Sequence, residues 1–509
     1  MGVIMRHSYL ISLIALIPAA SCARDEGPAP KEKIEAVTEI TVYTFGQPQM
    51  LLPQEAAART FEEKTGIKVN IVSEPAFQNL QPTLEAKAKA GSADYDVFMT
   101  GNLWVADFVN LGYAEPLDPY LAADANNDEM AASDIPEGVR KKNEFGGKTY
   151  SMLVDNDNMF LFYRKDVFAE ARWRDAFQAE LGHELPTPPK TIGELIEVAK
   201  FFANKDWNPA ALDEVSFVTS NAGLGQSHYY LYSFAAPYTV MPRGVAPASG
   251  LLLFKPDMTP LVNTPGFVRG VTEWKEILDC CVRHLNDGDG PNGLLAREAV
   301  IDQIIKGQSL MAVDWGDSGP AAFREGAVVR DKLGFAMAPA ALDYYNWQTQ
   351  AWVSVDAPNY APVHQFNGWA LYMASTSKKK QLAWNYIRHF ISPDTSIKTV
   401  SDPAGGYQPW RTSHSTNLQF WEDRGWRRGD AAEYAKAILD TTNHPNRVID
   451  VRIPGSFRYG DALEAELKLV AQGEKTPQKA MDDCAAKFDE ITTDLGRAPM
   501  IEAYGAHLQ

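Results

Sequence analysis

The sequence predicts an α/β protein built from more than one lobe, and three observations point there. Between residues 39 and 99 the chain alternates extended and helix-forming stretches in strand, helix, strand, helix, strand order, the signature of a parallel sheet with right-handed crossovers. Its 509 residues exceed what a single hydrophobic core usually organises. Extended stretches also return late, at 309–313 and 332–337, so the lobes are expected to draw on discontinuous pieces of chain.

The first element is a processing signal over 1–21. Arg6 and His7 give a positive start, and a short apolar core follows, ending in Ala19-Ala20-Ser21 directly before Cys22. That core is too short to span a bilayer. A cysteine placed directly after small residues resembles the bacterial lipoprotein signal, in which Cys22 becomes the lipidated N-terminus; a plain secretory cleavage site is the alternative, and both predict export. No later apolar run reaches the roughly 18 residues of a spanning helix, so any membrane contact is expected through the anchor. Residues 22–37, rich in Pro, Lys and Glu, read as a flexible tether.

Residues 39–45 alternate as a strand, 53–65 are helix formers ending at Gly66, a natural left-handed cap, and 66–72 alternate again. A helical stretch at 80–90 leads to the apolar run 95–99. Ligands on such sheets sit beyond the carboxyl ends of the strands. The loops 46–49, 74–78 and 100–104 are therefore expected to face a ligand, with Phe45, Gln47, Glu74, Asn102 and Trp104 as candidates. Farther on, Thr191 with Glu194 forms a capping box before a helix whose Leu195, Val198, Ala199 and Phe202 share one face. Leu382, Tyr386 and Phe390 mark another amphipathic helix, and Thr476-Pro477 opens a last one.

Composition narrows the chemistry. A net charge of −17 repels polyanions, so nucleic acid is not an expected partner. After Cys22 only Cys280, Cys281 and Cys484 remain, too few for a disulfide scaffold and without metal-ligand spacing. A bridge from the adjacent pair to Cys484 is open, against a reading in which Cys281 and Cys484 both lie on apolar helix stripes as buried thiols. The run Asp287-Gly-Asp-Gly-Pro-Asn-Gly293 before Glu298 has Pro and Asn where a calcium loop needs its fifth ligand and turn glycine. No nucleophile elbow, phosphate loop or zinc-protease motif is present, and no cofactor is expected.

Taken in order, a set of short motifs carries a family likeness: Glu39-Ile-Thr-Val-Tyr-Thr-Phe45, Phe61-Glu-Glu-Lys-Thr-Gly-Ile-Lys-Val69, Gly91-Ser-Ala-Asp-Tyr-Asp-Val97, Asn102-Leu-Trp104, and Gly112-Tyr-Ala-Glu-Pro-Leu-Asp-Pro-Tyr120. Leu161-Phe-Tyr-Arg-Lys-Asp-Val-Phe168, Val313-Asp-Trp-Gly316 and Asn367-Gly-Trp-Ala370 continue it. The chain resembles the family 1 extracellular solute-binding proteins, relatives of maltose-binding protein that serve ABC importers. The resemblance implies a two-lobed periplasmic-binding-protein-like fold of type II, each lobe a mixed sheet flanked by helices, with the ligand cleft between them. The lobes are expected at 38–153 with 300–338, and at 154–299 with 339–509, where 207–258 and 343–362 are candidate insertions. A monomer is expected, with the importer's permease subunits as partners. The family pattern often has Pro where Leu153 stands and Gly-Gly where Asn367-Gly368 stands, so another member's ligand contacts do not carry over residue by residue.

Sugars are held by aromatic rings stacked on their C–H faces and by acids, amides and Arg at their hydroxyls. The segments that the resemblance places at the cleft pair these types: Asn102 with Trp104, Asp155 with Asp157, Trp315 with Asp317, Asn367 with Trp369, and Tyr407 with Arg411. The expected ligand is a carbohydrate, with a polyol or polyamine as the alternative. A lipid-anchored carbohydrate-active enzyme, using Asp155 with Asp157 or Asp314 with Asp317 as acid and base, is the competing class; no glycosidase motif surrounds either pair, so no enzymatic activity is expected.

Overall fold

A computed structural model describes residues 38–125, 128–210, 215–218, 226–244, 250–280 and 297–508. The signal 1–21, Cys22, the tether 22–37, Cys281 and the loop 287–293 lie outside the described residues.

The predicted alternation forms as β1 (Glu39–Phe45), α1 (Pro48–Thr65), β2 (Lys68–Glu74), α2 (Phe77–Lys89) and β3 (Val97–Gly101). Helix α1 begins five residues before the expected start, because Pro48 suits the first helical position, where no amide partner is needed. Pro53 therefore lies inside the helix. The helix ends where expected, on Gly66 at φ 72°, whose amide reaches Glu62 O.

Strand β1 pairs in parallel with β2 from Glu39 opposite Lys68 to Phe45 opposite Glu74, and with β3 on its other side. Trp369–Met373 runs antiparallel to β3, Trp369 opposite Gly101, and Ser151–Leu153 completes this sheet. The second sheet has the order Leu333–Met337, Met159–Arg164, Ser309–Trp315, Val215–Val218, and only its last pair is parallel. Strands such as Met159–Arg164 and Ser309–Trp315 are buried at every position. Both of their faces are covered, which is why Met159–Tyr163 and Leu310–Val313 read as unbroken apolar runs rather than alternating ones.

Sheet membership corrects the expected partition at two places. The strands within 300–338 join the second sheet, with Met159–Arg164, and Trp369–Met373 joins the first. An apolar run announces a strand but carries nothing about its partner, and these pairings form over separations of more than a hundred residues. The candidate insertion 207–258 likewise contributes Val215–Val218 as an edge strand and the fully buried helix Ser227–Thr239. Within 343–362 the chain forms most of an antiparallel ribbon, Ala341–Asn346 with Ala351–Asn359, packed on that helix.

The helix signals hold in detail. The Thr191 hydroxyl accepts from Glu194 N while the Glu194 carboxylate accepts from Thr191 N. Leu382 is partly buried on Lys380–Ile391, whereas Tyr386 and Phe390 are fully buried. Thr476 caps Pro477–Asp494, on which Cys484 is a free, buried thiol. The bridge to Cys484 is thereby excluded; burial among apolar side chains raises its pKa and keeps it protonated. Among the described residues no helix is long and apolar enough to cross a membrane.

Candidate functional site

The parallel strands of the first sheet end together, and a cavity of about 60 Å³ opens beyond them. Phe45 closes β1, Gln49 and Met50 come from the first turn of α1, and Phe77 is the first residue of α2. Trp369 enters from the strand antiparallel to β3, whose first residue lies at the same edge. The second sheet contributes Trp315 from a strand end, with Asp157 and Asp317 from adjoining turns. Gln226, Tyr229, Phe366 and Gly406 complete the lining.

Six aromatic rings form a continuous wall. Phe45 stacks on Trp369 with centroids 5.7 Å apart and planes 5° from parallel, and Trp369 meets Phe366 at 4.8 Å. Phe366 leads to Tyr229 at 6.1 Å, and Tyr229 to Trp315 at 5.7 Å. Phe77 packs edge-on against Phe45. The wall thus runs unbroken from a first-sheet strand to a second-sheet strand.

Phe366 is held in an unusual backbone conformation. It, Asn367 and Gly368 have φ of 59°, 53° and 83° in succession, a left-handed run that costs non-glycine residues about 1–3 kcal/mol each. Asp450 fixes the run: its carboxylate accepts from Phe366 N, and its carbonyl accepts from Asn367 Nδ2 at 2.7 Å. The Phe366 ring then lies directly over Gly101, where an added Cβ would stand 2.1 Å from the ring. Only glycine admits that contact.

Acids border the same cavity. Asp155 is fully buried and accepts from Gln408 N at 2.7 Å, while Gln408 Nε2 donates to Asp157 and Gln408 Oε1 accepts from Asn158 N. Burial, then Asp157, push the Asp155 carboxyl well above the usual range, with Asp317 adding to the effect. Asp155 is buried away from the cavity, and Asp157 and Asp317 are the acids that line it. Buried Lys142 donates to Asn156 Oδ1 at 2.7 Å, and desolvation lowers its ammonium to about 7.

Of the expected site residues, the fold brings Phe45, Asp157, Trp315, Asp317 and Trp369 to this cavity. Trp104 instead lines an adjoining chamber of about 50 Å³, together with His228, Tyr232 and Asp461. Phe77 and Tyr229 belong to both chambers. The remaining candidates are engaged elsewhere. Gln47 donates to Pro75 O, and the Glu74 carboxylate accepts from Ala76 N, so both tie the strand-end loops. Asn102 gives its amide to Lys142 O and takes protons from Ser151 and Tyr372, which knits sheet strands together. Asn367 serves the Asp450 brace, and the Tyr407 hydroxyl lies among Met50 O, Gln54 and Met99. Arg411, 2 % exposed, donates to Ile391 O, Met130 O and Ala131 O. A guanidinium has donors for several carbonyls at once, and here it satisfies backbone rather than solute.

Sequence reasoning flagged the loops holding Gln49 and Phe77 without naming those residues. It gave no indication of Gln226, Tyr229 or Phe366. Tyr229 stands in the aromatic run His228-Tyr229-Tyr230, which was a usable signal. Phe366 sits one residue before the named Asn367, and the left-handed backbone, invisible in sequence, decides which of the two faces the cavity.

With this geometry established, comparisons with known proteins agree. Residues 56–426 match the family model described as bacterial extracellular solute-binding protein. A relative in Brucella abortus strain 2308, to which only a binding role is ascribed, is 23% identical over 445 residues, 86% of this chain and 89% of its own. Among solved structures, an ABC transporter solute-binding protein of Agrobacterium radiobacter K84 in complex with ribitol is similar at a TM-score of 0.67 and 18% identity, covering 89% of this chain and 98% of its own. One from Agrobacterium vitis S4 with D-mannitol has a TM-score of 0.67 at 19% identity, covering 90% and 99%. Maltose-bound MalE3 of T. maritima has 0.65 at 16%, covering 89% and 99%. These likenesses establish the fold as the type II periplasmic-binding-protein fold.

Proposed function

Because the chain belongs to the bacterial extracellular solute-binding proteins, we propose that it is the capture component of an ABC importer and holds a carbohydrate or polyol in the aromatic and acidic cavity. The observation that carries this reading is the wall from Phe45 through Trp369 and Phe366 to Trp315, in one cavity with Asp157 and Asp317. Rings supply flat apolar faces for C–H surfaces, and carboxylates accept from hydroxyls that would otherwise be buried unpaired. Ribitol, D-mannitol and maltose in proteins of the same fold support it.

In this reading each sheet is the core of one lobe, and the lobes close on the ligand because it contacts both. The protein transforms nothing and hands its ligand to the permease subunits. Export, lipidation at Cys22 and a monomeric state belong to the same proposal.

The test is a panel of sugars, polyols and polyamines offered to the purified mature chain, read by tryptophan fluorescence and thermal shift. A ligand that binds only the native state raises the melting temperature. Silence from every sugar and polyol would remove the reading, and consumption of an offered oligosaccharide would replace it with an enzyme.

A further inference from the structure

Resting on the reading that each sheet is the core of one lobe, we infer that Asp107 is a positioning residue for ligand capture: its carboxylate bonds the start of a helix in the opposite lobe and holds the lobes together without touching the ligand. The bond is from Gly455 N to Asp107 Oδ1, at 2.8 Å. Asp107 lines neither chamber.

The two partners are fastened to different sheets. Asp107 lies on the short helix Val105–Asn110, one turn after β3. Its neighbour Phe108 packs on Phe98 of β3 and on Tyr372 of the adjacent strand, with centroids 5.2 and 6.2 Å apart. Gly455 precedes the helix Ser456–Ala471, whose Glu464 accepts from Ser227 Oγ and His228 N at the start of Ser227–Thr239. That second helix is tied to the second sheet, because the Tyr230 hydroxyl donates to Asp314 Oδ1 at 2.7 Å. A bond from Gly455 to Asp107 therefore spans the halves, and parting the lobes breaks it. Ser456 Oγ donates to Leu103 O across the same seam.

The chemistry suits a reversible contact. Helix Ser456–Ala471 has Gly455 as its capping residue and no side-chain cap of its own. The start of a helix is rich in unpaired amides and carries the positive end of the dipole, so an acidic acceptor is favoured there. Asp107 supplies that acceptor from the other lobe. Its second oxygen, Oδ2, is buried with no hydrogen-bond partner among the described residues, and this desolvation opposes the gain. The opposed contributions leave the contact poised, so that the empty lobes open and close and a ligand tips the balance.

The experiment compares the wild-type mature chain with Asp107→Ala, which removes the acceptor, and Asp107→Asn, which keeps one. Asp107→Leu replaces the alanine variant if that one does not unfold cooperatively. Ribitol, D-mannitol and maltose are the probes, followed by stopped-flow tryptophan fluorescence. Small-angle X-ray scattering gives the radius of gyration of each ligand-free chain. Asp107→Ala is expected to release a bound probe at least threefold faster than the wild type, with association within twofold, and to be the more open when empty. Asp107→Asn should restore slow release and the wild-type radius, which a residue acting through packing alone would not do. Unchanged release from Asp107→Ala, or release from Asp107→Asn as fast as from Asp107→Ala, overturns the inference. Where no probe binds, the radius decides: equal radii for Asp107→Ala and wild type overturn it, and a larger one for Asp107→Ala alone supports it. The sugar-or-polyol reading falls separately, on silence from the broad panel.

Discussion

The amide of Gly406 donates to the carbonyl of Gln49 across 2.8 Å, and the position of a proline explains the pairing. Gln49 lies in the first turn of α1, and its carbonyl would ordinarily accept from the amide four residues on. That residue is Pro53, which has no N–H. The loop from the far end of the chain supplies the donor instead, and so brings Gly406 against both Gln49 and Asp317 at the cavity.

A Cβ at Gly406 would stand 3.0 Å from Gln49 Cγ and 3.4 Å from Asp317 Oδ2. Gly406→Ala is expected to push these lining groups aside and to weaken ligand binding at least fivefold, with a loss of stability of about 1 kcal/mol or less. Titration calorimetry beside thermal melts separates the two effects; unchanged affinity would show that this contact does not shape the cavity.

Gly101→Ala should be harsher. The methyl group would overlap the Phe366 ring, and overpacking of this kind costs about 1–3 kcal/mol. A lower melting temperature together with lost binding is expected, since displacing Phe366 breaks the aromatic wall between Trp369 and Tyr229. A variant with wild-type affinity would mean that Phe366 is dispensable.

Trp369→Ala and Trp315→Ala should each weaken binding tenfold or more, which is about 1.4 kcal/mol. Arg411→Ala is expected to do the opposite: three carbonyls lose their donor, so stability falls by about 1–3 kcal/mol while affinity, measured well below the melting temperature, stays within threefold. Loss of affinity in a stably folded Arg411 variant would return that residue to the site.

Lys142 predicts a pH effect. Its folded pKa is lowered to about 7, chiefly by burial, below the roughly 10.4 of an exposed lysine. Between those values the unfolded chain binds the extra proton, so this residue makes stability rise with pH across that window. Melting temperatures from pH 6.5 to 9.5 should therefore rise more steeply in the wild-type protein than in Lys142→Met. Parallel profiles would place the Lys142 ammonium in a better-solvated setting.

Much of the first sheet was readable because its signals are local. Alternation at 39–45, the glycine stop at Gly66 and the Thr191–Glu194 box each act over a few residues, and each appears in the fold as expected. The second sheet was less readable. Its strands are buried on both faces, and nothing in Ser309–Trp315 tells which strands flank it.

The site divides along the same line. Trp315, Trp369 and Phe45 stand at strand ends, a place that sequence order and sheet geometry specify together. Arg411 and Tyr407 carry the right chemistry for a sugar, but they spend it on backbone carbonyls and buried neighbours. Side-chain type cannot show which partners arrive first.

By itself the sequence determined the strand and helix alternation of residues 39–101, the parallel half of the first sheet and the chemical types that gather at its strand ends. These follow from periodicity, caps and the direction of strands, all of which are properties of neighbouring residues. Only the tertiary structure decided which strands share a sheet, that Phe366 rather than Asn367 turns to the cavity, and that Asp157 and Asp317 rather than Asp155 line it. Those outcomes depend on contacts between residues hundreds of positions apart, where packing and the satisfaction of buried polar groups choose among pairings that the local sequence leaves equal.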